Sequence, residues 1–200
     1  LLFYGLAAWG IGSFWKDMKK QTPPPAGSTG KLPVLKVLSE ILSHSNFTTC
    51  GSLKKRAIAH MLVFFGFGLL LLVTLYAIVA SMTHNYPLPI TNPFKIAGNL
   101  ASLMIYVGLG LMIFERMFNR KVFGKSGYSD WLLLASIGLL TLSGTLVQLA
   151  RFGNWSMAYH LYFFPLVAVW FVIMYLPFTK LGHIFYRTTA LLYARSIGRK

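Results

Sequence analysis

Residues 57–83 read Ala57-Ile-Ala-His-Met-Leu-Val-Phe-Phe-Gly-Phe-Gly-Leu-Leu-Leu-Leu-Val-Thr-Leu-Tyr-Ala-Ile-Val-Ala-Ser-Met-Thr83, and His60 is the one side chain among them that titrates near neutral pH. As a helix this run is about 40 Å long at ~1.5 Å per residue, more than the ~20 apolar residues that cross a bilayer. Similar runs follow at 94–114, 131–150 and 155–178. The whole chain is 56% hydrophobic and 12% charged, against roughly 25% charged in a soluble domain. It reads as an all-α integral membrane protein. The first apolar run, Leu1 to Trp15, reaches only about 22 Å and reads as the truncated end of a fifth transmembrane helix in preference to a signal-peptide core, which a basic region would precede. The expected helices are therefore about 1–16, 57–83, 94–117, 130–151 and 155–179, forming a five-helix transmembrane bundle.

A net charge of +15 suggests nucleic acid until the nineteen Lys and Arg residues are assigned to the connections. Seventeen fall in 16–56, 115–130 and 180–200, and only Lys95 and Arg151 fall in the two connections on the other side. The positive-inside rule then places those three basic segments in the cytoplasm. The chain is a multi-pass protein of the cytoplasmic (inner) membrane with a cytoplasmic C-terminus, contacting membrane lipid and no nucleic acid. Its single cysteine, Cys50, allows neither an internal disulfide nor a cysteine-ligated zinc or iron–sulfur site within the chain.

Between the spanning runs, residues 21–33 hold four of the nine prolines and read as an extended linker. From 34 to 45 the apolar residues Val34, Leu35, Val37, Leu38, Ile41 and Leu42 recur at helical spacing among Lys36, Glu40 and His44. This pattern predicts a short amphipathic helix on the cytoplasmic membrane surface. A C-terminal cytoplasmic helix is expected at 183–197. Residues 85–93 carry three prolines and no charge, and Asn92-Pro93 opens the next helix with a capping side chain followed by proline. Gly98, Ala101, Gly108, Gly110, Gly138 and Gly144 are small enough to let helices approach closely.

Four of the five histidines stand at helix ends. In the antiparallel second and fifth helices, His60 and His183 share one depth and His84 and His160 the other. Neutral imidazoles from two facing helices are what a bis-histidine haem iron takes as axial ligands, with Phe64, Phe65, Gly66, Phe67 and Gly68 packing against the ring or making room for it. The competing reading is that these histidines are simply hydrated at the headgroup boundary. His60 and His84 are twenty-four residues apart, about 36 Å along a helix and longer than the ~30 Å hydrocarbon core. Either the helix ends before His84, or only one pair holds haem.

The segments Tyr175-Leu-Pro-Phe-Thr-Lys-Leu-Gly-His-Ile-Phe-Tyr-Arg-Thr-Thr-Ala190, His60-Met-Leu-Val-Phe-Phe-Gly-Phe67 and Tyr86-Pro-Leu-Pro with Asn92-Pro-Phe-Lys-Ile-Ala-Gly-Asn99 resemble the membrane domain found in the membrane-embedded subunit of quinone-interacting membrane-bound oxidoreductase. That family is related to the cytochrome b subunit of heterodisulfide reductase and the gamma subunit of respiratory nitrate reductase. The resemblance implies a b-type cytochrome passing electrons between menaquinone and cytoplasmic iron–sulfur and flavin subunits, a route that in sulfate reducers ends at adenylylsulfate reductase. It implies His60 and His183 as the ligands of a cytoplasmic-side haem b. Where the nitrate reductase pattern has its second histidine pair, this sequence has Leu70 and Pro165. An outer haem must therefore use His84 and His160 or be absent. Relatives often carry a ferredoxin-like domain ahead of the first helix, so either this chain is a fragment or that part is a separate polypeptide.

Lys95 and Asn99 are four residues apart on one helix face at the outer boundary, where a cation and an amide suit a quinone carbonyl and the resemblance implies a quinone site. A snorkelling lysine is the plainer reading. Two other function classes compete with electron transfer. A transporter ordinarily needs ionisable groups at mid-membrane depth, whereas Asp17, Glu40, Glu115 and Asp130 all fall at the cytoplasmic boundary. A purely structural anchor needs none of the histidines.

Overall fold

The computed structural model describes residues 2–23, 33–43, 54–83, 88–118, 127–175 and 182–198. Every regular element among them is helical: α1 (Leu2–Gln21), α2 (Val34–Ser43), α3 (Lys54–Met82), α4 (Pro93–Phe118), α5 (Tyr128–Phe152), α6 (Ala158–Leu161), α7 (Phe163–Tyr175) and α8 (His183–Ser196). Three of these, α3, α4 and α5, are long and apolar enough to cross a membrane. Their outward faces carry Leu71, Leu72, Leu75, Val79, Leu103, Val107, Leu139, Leu142 and Leu146, all exposed. So much continuous apolar surface is stable against lipid and not against water.

The chain divides into two compact units, Cys50–Trp170 and Leu1–Thr49 with Phe171–Lys200. In the first, α4 lies between α3 and α5. Ile105 and Leu109 of α4 and Leu134 and Ile137 of α5 form its buried core, against which Val63, Phe67 and Leu70 of α3 pack. Small residues bring α3 and α4 together. A methyl group on Gly108 would stand 2.7 Å from Val63 Cγ2 and 2.9 Å from the Ala59 carbonyl oxygen, and one on Gly66 would stand 3.0 Å from the Ala101 carbonyl oxygen. Ala59 thus faces Gly108 and Gly66 faces Ala101, an antiparallel seam of small residues spaced by seven, which keeps them on one side of each helix. Tyr76 stacks on Phe94 with ring centroids 3.6 Å apart toward the Met82 end of α3.

Polar groups on these helices are satisfied locally, as a hydrocarbon environment requires. Thr74, Ser102, Ser136 and Thr141 each donate to a carbonyl one turn back. At the start of α4 the Asn92 side chain accepts the amide of Phe94 at 2.9 Å, and the helix begins at Pro93. At the other ends of α4 and α5, Arg116 Nη2 lies 3.4 Å from Asp130 Oδ1.

The helix expected over 155–179, which Pro165 is expected to kink, is interrupted. After α5, Asn154 takes a positive φ of 50°, α6 lasts one turn, and Tyr162 separates it from α7. Pro165 supplies the cause, because it has no amide hydrogen for the Leu161 carbonyl and its ring opposes that carbonyl.

In the second unit α1 runs to Gln21, five residues beyond the apolar run expected at 1–16. It lies parallel to α8: Phe14 meets Tyr186 and Trp15 meets Tyr193 edge to face, and the Tyr193 hydroxyl donates to the Thr22 carbonyl. Helix α2 docks on α8 through a two-pronged ion pair, Arg195 Nη2 to Glu40 Oε2 at 2.8 Å and Arg195 Nε to the same oxygen at 3.2 Å. Val37 is buried on that side, while Leu35 and Leu38 are exposed. The C-terminal half of α7 enters this unit, where the Tyr4 hydroxyl donates to the Ile173 carbonyl at 2.8 Å.

Candidate functional site

His60 stands in the second turn of α3, half-buried, one residue after Ala59, whose carbonyl meets Gly108. The helix places Phe64 one turn on, and the two rings lie 6.4 Å apart at 30°. His60 therefore belongs to a partly enclosed, aromatic stretch of a long apolar helix, next to the basic residues Lys54, Lys55 and Arg56 that begin α3. His183 is the first residue of α8, exposed, and preceded by the buried Gly182. The two histidines belong to different compact units. His84, His44 and Cys50 lie outside the described residues.

Of the two glycines expected to make room for a ring beside His60, Gly66 is committed to helix packing, since α4 fills the space over it. Gly68 has no neighbour within 4 Å of where a side chain would start, so it keeps one side of α3 open two turns from His60. Leu70, at the position of the second histidine in the resembling pattern, packs against the core of Ile105, Leu109, Leu134 and Ile137. Its role is apolar contact. Pro165, at the other such position, breaks the helix between α6 and α7. His160 is exposed on α6.

No cluster of three or more His, Cys, Asp or Glu residues that could hold a metal ion occurs among the described residues, which is what zinc or an iron–sulfur cluster would take from a chain. A haem needs only two neutral imidazoles from facing helices.

At the other end of the first unit, Lys95 is half-buried in the first turn of α4 and Asn99 is exposed one turn on. Lys95 is close enough to Arg151, at the end of α5, to feel its positive charge. Composition and loop counts do not show this convergence. The signal is in the spacing, because Lys95 precedes Arg116 by twenty-one residues and Arg151 follows Asp130 by the same number. A second interhelical link joins Tyr106 to Thr145, whose oxygens are 2.8 Å apart. Thr145 donates onward to the Thr141 carbonyl at 3.0 Å, so Tyr106 is the donor in this chain of hydrogen bonds. A tyrosine in mid-helix and a threonine two turns before a helix end carry no pattern that pairs them in the sequence.

Comparison with known proteins places the chain as a whole. The family of citrate utilization protein B matches residues 5–200. A subunit of the dihydromethanophenazine:CoB–CoM heterodisulfide reductase of Methanosarcina thermophila is 26% identical over 204 aligned positions, covering 94% of this chain and 75% of that protein. No solved structure matches. The family match runs through the long apolar helices, the His60 segment and the His183 segment alike, and the chain belongs to the citrate utilization protein B family.

Proposed function

We propose that this chain is the b-type cytochrome subunit of a multisubunit oxidoreductase, moving electrons between menaquinone in the membrane and iron–sulfur and flavin subunits in the cytoplasm. The observation that carries the reading is the chain-long match to a component of a heterodisulfide reductase, a redox enzyme named for dihydromethanophenazine and a disulfide. The relative favours a membrane redox subunit in general. The narrower link to adenylylsulfate reductase rests on the sequence resemblance alone.

In this reading five segments span the cytoplasmic membrane: α3, α4 and α5, the pair α6 and α7 together, and α1. The basic connections and α8 face the cytoplasm, and α2 rests on the cytoplasmic membrane surface through Leu35 and Leu38, which its contact with α8 leaves exposed. His60 and His183 hold one haem b, which supplies one-electron transfer when bound. The task of the chain is to present two neutral, oriented imidazoles and to surround the ring with apolar side chains such as Phe64. His84 and His160 at the outer side serve a second haem or, together with Lys95 and Asn99, a quinone pocket. The amide of Asn99 and the ammonium of Lys95 would donate to a quinone carbonyl there.

A reduced-minus-oxidised spectrum of the purified full chain, with haem quantified per polypeptide, tests this. A low-spin b-type band is expected, and His60→Ala and His183→Ala should each abolish the same band while the protein remains inserted in the membrane. A normal band and full haem content in His183→Ala would overturn the ligand assignment. A wild-type chain that binds no haem would overturn the cytochrome reading altogether.

A further inference from the structure

Helices α4 and α5 are antiparallel, and the Arg116–Asp130 ion pair fixes their register at one end. Twenty-one residues along each helix in the opposite direction stand Lys95 and Arg151. That step is about 32 Å at ~1.5 Å per residue, close to the ~30 Å thickness of the hydrocarbon core. One boundary of the α4–α5 pair thus joins a cation to an anion, and the other brings two cations together, each of them only half exposed. The charge of Arg151 acting on Lys95 agrees with this register.

The surroundings are those of a membrane interface. Tyr76 and Phe94 stack at this end of α3 and α4. Four residues past Arg151, Trp155 folds back over Gly153, where a side-chain methyl would come within 2.6 Å of the indole nitrogen. Aromatic rings at this depth mark the headgroup layer. The charge count adds weight: of nineteen basic residues only two fall on the outer side in the proposed topology, and the register of α4 and α5 puts those two at the same end of the helix pair. Neither 41–114 nor 131–200 contains an Asp or Glu, so this end of α4 and α5 carries a local charge of two cations. Arg151 has contacts of its own within the protein. What two adjacent cations share beyond such contacts is a preference for an anion between them.

We propose that Lys95 and Arg151 together bind the phosphodiester of an anionic phospholipid headgroup at the outer membrane boundary. An ammonium and a guanidinium on neighbouring helices would hold the phosphate oxygens, the guanidinium by two parallel N–H donors. The acyl chains would lie along the exposed apolar faces of α4 and α5. The site rests on the proposed topology and shares Lys95 with the proposed quinone pocket, whereas that reading gives Arg151 no role. Lys95 has three N–H donors, so a phosphate and a quinone carbonyl can share it, and Arg151 is the residue that separates the two.

The test is the thermal midpoint of the detergent-solubilised full chain, titrated with short-chain phosphatidylglycerol, with short-chain phosphatidylcholine and with inorganic phosphate. Phosphatidylglycerol should raise the midpoint saturably, because a ligand of the folded state stabilises it by mass action, and the other two should not. In Lys95→Gln and Arg151→Gln the half-saturating concentration should rise about fivefold, the scale of one basic residue against an anionic lipid. Arg151→Lys, which keeps the charge, loses the paired donors and guards against a variant that misfolds, should fall between wild type and Arg151→Gln. An unchanged response in Arg151→Gln would overturn the site and assign the lipid effect to the basic cytoplasmic face. An equal rise with inorganic phosphate would overturn the lipid assignment in favour of a free-phosphate site. No rise with any of the three would overturn the proposal entirely.

Discussion

Gly108 shows how much a single residue decides in a lipid-embedded helix pair. A side-chain methyl there meets Val63 at 2.7 Å and the Ala59 carbonyl at 2.9 Å. Val63 is β-branched and has little rotamer freedom with which to yield, and a backbone carbonyl has none. Gly108→Ala should therefore destabilise the α3–α4 pair by about 1–3 kcal/mol through overpacking, partly offset by up to ~1 kcal/mol of helix propensity. Gly110, two residues on, meets nothing within 4 Å, so Gly110→Ala gains the propensity without the clash and should be neutral or mildly stabilising. Unfolding in mixed detergent micelles compares the two directly, and equal behaviour would mean that α3 and α4 do not meet at Gly108. His60 lies on the next face of the same turn as Ala59, so this seam also positions the imidazole proposed for haem.

At the scale of the element, α5 is tied to α4 by side-chain hydrogen bonds as well as by apolar contact. Tyr106 reaches Thr145 across the pair, and Thr145 passes its own hydrogen to the Thr141 carbonyl. In lipid such an interhelical bond is worth about 0.6 kcal/mol on average, because the separated helices find other partners. Tyr106→Phe and Thr145→Val should each cost about that much, and the double variant no more than the larger single change. Strictly additive costs would show that the two hydroxyls do not depend on each other. The break between α6 and α7 is legible from Pro165 alone, since the missing amide hydrogen acts locally whatever the neighbours are. The course of α2 is only partly legible. Its periodicity marks an apolar side, but Val37 is buried on the side toward α8, where Glu40 holds Arg195, and Leu35 and Leu38 are left outward.

For the whole molecule, the proposed orientation in the membrane rests on the partition of basic residues, seventeen against two. In a Cys50→Ser background, Thr91→Cys should be labelled by a membrane-impermeant maleimide added to intact cells, and Tyr128→Cys should be labelled only after the membrane is opened. Both positions are exposed, so burial does not confuse the result. The reverse pattern would invert the topology, putting His60 and His183 outside and the Lys95–Arg151 pair at the cytoplasmic leaflet.

The sequence by itself determined that the chain is helical, that it enters a membrane, and that its last apolar stretch breaks at Pro165. These outcomes depend on transfer free energies, capping and proline chemistry that each short stretch carries on its own. Tertiary structure alone decided which faces meet. In an aqueous protein the polar side of a helix reveals its buried side by contrast, but around most of α3 every direction is apolar, and lipid is as apolar as leucine. The choice falls to shape: Ala59 against Gly108, Gly66 against Ala101, and Leu70 against a core that leaves it no ligand role. For the same reason the pairing of Lys95 with Arg151 appears only once α4 and α5 are in register, since fifty-six residues separate them in the chain and a loop count sees two isolated cations.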